Sequence, residues 1–164
     1  MALEQVLLTW IHLTSAAIWV GGSLFIGAVL APILKTMSFS LEERLQMMIS
    51  VGRRFNKIAI PSLIILIGTG IYNSYSFLEN SNLLFSTDYG NWLLVKIILV
   101  IALIITYVVH VRIIRKDVEE QIISKKMTDK QIKKLRLKII ILGEIIVIIS
   151  VAILFMAALL NYGI

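Results

Sequence analysis

The chain carries two histidines, His12 and His110, no cysteine, and two further ionisable residues inside apolar stretches, Lys96 and Glu144. Ionisable groups within hydrophobic sequence are costly to keep there, and mark ligand, proton or ion duty by default. The chemistry open to this set is narrow. Imidazole suits several transition metals, and a lysine amine ligates only after losing its proton. The lack of cysteine removes thiolate metal sites, disulfides and cysteine nucleophiles. By the i, i+3, i+4, i+7 rule, His12 shares a helical face with Ser15, Ala16, Trp19, Gly22 and Ser23. Small residues let helices pack closely, so this face points into a bundle. There His12 is either a metal or haem ligand or a histidine satisfied by a neighbouring hydroxyl or carbonyl.

The elements that must position these residues are membrane spans. Of the 164 residues, 59% are hydrophobic and 16% charged, against roughly 25% charged in soluble domains. The mean hydropathy is +0.91. Charges fall in blocks between apolar runs, and a run of ~20 apolar residues crosses a bilayer as a helix. Four segments qualify, at about 5–34, 58–78, 92–114 and 139–160. The expected fold is an all-α integral membrane protein, a four-transmembrane-helix up-down bundle with no repeat and no second domain. Pro61 falls near the start of the second span, where proline costs least. With no basic stretch ahead of it, the first span reads as retained, not as a cleaved signal peptide.

Loop charge predicts orientation. Lys35, Arg44, Arg53, Arg54 and Lys57 lie between the first two spans, and a longer basic block, from Arg112 to Lys138, between the last two. The N-terminal tail and residues 79–91 hold no Lys or Arg. The positive-inside rule makes both basic loops cytoplasmic and both termini extracytoplasmic, in the plasma membrane. Trp10, Trp92 and Tyr162 then fall at the outer interface. This rule also accounts for the net charge of +6 without nucleic acid as a partner. Two capping boxes punctuate the loops: Ser40 to Glu43 opens a short helix, and Thr128 to Gln131 opens the helix that becomes the fourth span. The basic block itself reads as a partly helical, solvated loop resting on anionic lipid.

Depth pairs the ionisable residues. Lys96, about one turn into the third span, matches His12 in depth, and either snorkels to the outer interface or meets His12 as a second ligand or an anion contact. His110 lies fourteen residues on, ~21 Å deeper, level with Glu144 and Arg54. That second polar cluster reads as an ionic group fixing helix register or as a proton or metal relay. Two histidines at opposite depths exclude a di-haem cytochrome with histidine on both sides of each haem. At most one haem fits, with mixed ligation such as His12 and Lys96.

The first span reads WIHLTSAAIWVGGSLF, the second opens GRRFNKIAIPSLIILIGTGIYNS, the third follows STDYGNWLLVKIILVIALI, and the fourth contains KLRLKIIILGEIIVIIS. In order and spacing these resemble the copper resistance D (CopD) family, in its C-terminal four-helix domain. The resemblance is carried by His12, Trp19 to Gly22, Arg54-Phe55, Thr69-Gly70, Tyr89-Gly90, Lys96 and Glu144. It implies a role in copper uptake or tolerance, and more distantly a fold kinship with HemJ-type protoporphyrinogen oxidases, which bind haem. Those place a histidine on the first span and a lysine early in the third, as His12 and Lys96 stand here. Larger family members carry further N-terminal spans and some a copper-binding domain, which here implies a separate extracytoplasmic copper protein as donor. His110 stands where the family more often has a small polar residue.

Three functions follow. The first is copper handling centred on His12, although no Met-rich relay is visible. The second is a haem b electron carrier or oxidase with His12, Lys96 and Trp19 around the porphyrin. The third is a structural subunit of a larger membrane complex, or of a homo-oligomer, docking through small-residue faces. Orientation is directly measurable because the chain has no native thiol. A membrane-impermeant maleimide added to intact cells should label Glu79→Cys and leave Lys126→Cys unlabelled.

Overall fold

The computed structural model describes residues 2–162, and helices make up nearly all of them. Four are long and apolar enough to cross a membrane: α1 (Leu3–Thr36), α2 (Leu41–Asn73), α5 (Asp88–Ile113) and α7 (Asp129–Tyr162). Short helices α3 (Tyr75–Glu79) and α4 (Ser81–Ser86) join α2 to α5, and α6 (Lys116–Ile123) precedes α7. α1 packs along α2 and α5 along α7, and the two hairpins meet chiefly through α1 and α7.

Ser40 sets where α2 begins. Its hydroxyl accepts from the Glu43 N–H at 3.2 Å, and its own N–H donates to the Glu43 carboxylate at 2.7 Å. Those bonds, the backbone one foremost, hold the Glu43 carboxyl below its usual pKa. The helix so opened does not stop after two turns. It runs without a break into the second span, which corrects both the expected short helix and the place of Pro61, now interior to α2. The proline ring removes one rung of the ladder, but Ala59, Ser62 and Leu63 are buried around it and packing holds the helix together. The second capping box forms as expected, with Thr128 N–H donating to Gln131 Oε1 at 2.8 Å at the head of α7.

At 33 and 34 residues, α2 and α7 are each ~50 Å long, well beyond a ~30 Å hydrocarbon core. Their basic ends therefore project, and there the loop proves more than solvated chain. Ile122 of α6 is buried with Leu45, Ile49, Ile114, Ile132 and Ile139 in a small core of its own. α6 closes with Lys125 in the left-handed region (φ 51°). Lys126 N–H bonds to Gln121 C=O and Lys125 N–H to Ile122 C=O, the pattern of a Schellman cap.

α1 departs from a regular helix. Its turns at Ala17–Gly21 and Phe25–Leu30 are π-helical, and the Ser23 hydroxyl takes the Trp19 carbonyl at 2.7 Å. A Cβ at Gly22 would overlap the Phe55 ring, so this one glycine lets α1 come close to α2. Gly90 is more tightly constrained, because a Cβ there would overlap the backbone carbonyls of Leu83 and Leu84. Backbone cannot swing aside as a side chain can. Gly90→Ala should therefore destabilise the protein by about 1–3 kcal/mol, the usual cost of overpacking, in reversible denaturation in detergent.

Candidate functional site

His12 lies two helical turns above Trp19 on the inner face of α1, half-buried beside α2. Its Nδ1 is 2.6 Å from the Thr69 Oγ1. The single Thr69 hydroxyl proton is directed to the Ile65 carbonyl at 2.7 Å. With that proton on Ile65, the oxygen accepts from His12, and the matching tautomer carries its proton on Nδ1 and keeps the lone pair on Nε2. Such a partner on one ring nitrogen fixes tautomer and ring orientation in metal-ligating histidines. Gly70 leaves room for the ring, since a Cβ there would come 3.9 Å from His12 Cε1.

His12 and Lys96 line one cavity of about 340 Å³, to which all four long helices contribute and whose lining is otherwise mostly apolar. Its floor is Trp19, 2% exposed. The indole N–H donates to Ser150 Oγ of α7 at 3.0 Å, and the ring stands edge-on to Tyr107 of α5, centroids 4.8 Å apart at 74°. Tyr107 O–H in turn donates to Asn56 Oδ1 of α2 at 2.8 Å. A continuous chain of contacts thus ties all four long helices below the cavity. Lys96 has neither a hydrogen bond nor an ion pair among the described residues, and no Asp or Glu lines the cavity.

The structure brings His12, Trp19 and Lys96 around one space. It does not bring His110, Glu144 and Arg54 together. Glu144 and Arg54 are exposed, and no ion pair joins them. The physical reason is helical phase. α7 buries Ile139, Ile146 and Ser150 on one stripe, and Glu144, two residues before Ile146, points about 160° away from it. On α2 the stripe of Leu45 and Ile49 leads to Arg53, which pairs with Glu119 of α6. Arg54 falls off that stripe. His110 Nδ1 is buried without a hydrogen-bond partner among the described residues. No three His, Cys, Asp or Glu residues come together in a metal-holding group among them.

Sequence reasoning on ionisable groups passed over Ser150, Asn56 and Tyr107 as site residues, and used Thr69 only as part of a motif. The available signal was polar side chains in phase with a buried stripe: Ser62 and Thr69, seven apart on α2, are both buried. If Thr69 is the acceptor that orients His12, Thr69→Val removes it at nearly constant volume. A buried donor left unpaired costs about 1–3 kcal/mol, and the variant should lose that much stability in detergent unfolding. An unchanged midpoint would mean that Thr69 does not hold the ring.

Comparison with known proteins adds identity to this geometry. A sequence profile of the copper resistance protein D family matches residues 49–160. That stretch takes in Thr69, Lys96, Tyr107 and Ser150, while His12 and Trp19 lie ahead of it. The chain is 31% identical over 112 residues to the copper transport protein CutJ of Bacillus subtilis (strain 168), a match covering 68% of this chain and 20% of that protein. It is 37% identical over 76 residues to a protein of Aquifex aeolicus (strain VF5) described as uncharacterized, covering 46% of this chain and 51% of the other. The chain thus spans about a fifth of the first relative and half of the second. No solved structure matches. With more than half of its length matching the family profile, and with four helices fit to cross a bilayer, the chain is a multi-pass protein of the plasma membrane and belongs to the copper resistance protein D family.

Proposed function

We propose that the protein handles copper as a cargo within the bilayer, with His12 Nε2 as a weak, transient ligand. In this reading both termini, and the His12 end of the bundle, lie on the outer face. The observation that carries it is that His12 lines an apolar cavity with its Nδ1 engaged by Thr69, which leaves Nε2 as the ring nitrogen for a ligand. Family membership supports copper over other metals, as does the relative named a copper transport protein. Cu(I) is held tightly by thiolates and thioethers, and a lone imidazole is a much poorer site. That weakness suits passage, because an ion that must move on needs sites that release it. A copper protein outside the membrane is the natural donor to such a site.

Haem b fits the residues present less well. His12 would be one axial ligand and Lys96, once neutral, the other. That would use Lys96 and leave the two propionates without a positive partner among the described residues of the cavity.

The test is copper uptake into vesicles carrying the purified protein. Uptake should fall to background in His12→Ala and persist in His110→Ala. Equal uptake in His12→Ala and wild type would overturn the reading. A Soret band with stoichiometric iron in the purified protein would replace it with the haem function.

A further inference from the structure

Lys96 lines an apolar cavity in which no acidic side chain stands among the described residues. Burying an ammonium without a counter-ion is costly, and such groups in membrane proteins normally find a partner. The cavity is also open on one flank. Ile71 of α2 and Ile101 of α5 both line it, yet they are 54% and 51% exposed to the surroundings of the bundle. They belong to α2 and α5, which pack against each other less closely than α1 does against α2 or α5 against α7. Below them the Tyr107–Asn56 bond joins the two helices. The Trp19 N–H is already spent on Ser150, so the floor presents aromatic ring and no free indole donor. A polar mouth, an apolar body and a lipid-facing flank describe a site for an amphiphile.

We propose that the cavity binds an anionic amphiphile from the bilayer, its carboxylate or phosphate head paired with Lys96 and its apolar body lying above Trp19 after entry between α2 and α5. Charge complementarity selects the head. His12 Nε2 can accept a hydrogen bond from that head when it is protonated. Bound in this way, the anion also removes the repulsion that Lys96 would exert on a copper ion at His12. The binding itself does not depend on the copper reading and is measured without metal.

The experiment places the full chain in nanodiscs of phosphatidylcholine and compares laurate, dodecyl phosphate and dodecanol by competition against a fluorescent fatty acid. Because hydrogen bonds to charged groups are strong, at least one of the anions should bind about tenfold or more tightly than the alcohol. Lys96→Met should abolish that preference and Lys96→Arg should keep it. Ile71→Trp, which leaves Lys96 in place, should slow entry of the fluorescent fatty acid and guards against a folding defect in Lys96→Met. Tighter binding of the phosphate points to a phospholipid, and tighter binding of laurate to a free fatty acid. Equal affinity for acids and alcohol, or a preference that survives in Lys96→Met, overturns the proposal. Loss of copper uptake in His12→Ala with amphiphile binding intact would leave both readings standing separately.

Discussion

Trp19 is held from three sides at once, and the site depends on that grip. Its N–H bonds to Ser150, its ring meets the edge of Tyr107, and Ala59 and Leu63 pack against it. In a bilayer, where lipid is as apolar as leucine, helix association rests on close packing and interhelical hydrogen bonds. One side chain that gives a hydrogen bond to α7 and close packing to α2 and α5 is therefore a strong constraint. The π-helical turn at Ala17–Gly21 presents the indole, and the Ser23 hydroxyl donates to the backbone carbonyl of Trp19 itself. With the bundle pinned at this level, the helices part on one side of it into a cavity.

Within that cavity the two ionisable groups are treated in opposite ways. His12 is positioned by Thr69, which is itself tied to its own helix through Ile65 and Leu66. One ring nitrogen is thereby committed and the other kept available. Lys96 is placed beside the same space with no protein anion to meet it. The first arrangement prepares a ligand and the second leaves an electrostatic demand that a molecule outside the chain can meet. Both groups sit toward the end of the bundle that carries the described termini, on parallel helices α1 and α5, so their proximity follows from topology.

The basic end is built separately. α2 and α7 extend past the membrane, and α6 folds back over them with Ile122 buried and Arg53 paired to Glu119. This second core anchors the loop that carries most of the positive charge, leaving its lysines exposed while their helices stay packed. It is distinct from the core around Trp19, which places the polar chemistry and the charge-bearing cap at different levels of the same four helices.

The sequence by itself determined the four membrane-crossing helices, the membrane class, the capping boxes at Ser40 and Thr128, and the face that carries His12 and Trp19. These follow from hydropathy runs, local hydrogen bonding and the 3.6-residue period, all of which act over a few turns. It equally marked Lys96 as level with His12, since depth along parallel spans is a matter of counting residues. Only the tertiary structure decided which ionisable groups meet. Glu144 looked like a partner for His110 by depth, but helical phase relative to the neighbours turned it outward, and Arg53 in place of Arg54 took the inward position. Thr69, Ser150, Tyr107 and Asn56 act through partners 51 to 131 residues away. No local pattern encodes such pairings, because they depend on how four helices rotate and slide against one another to bury their side chains.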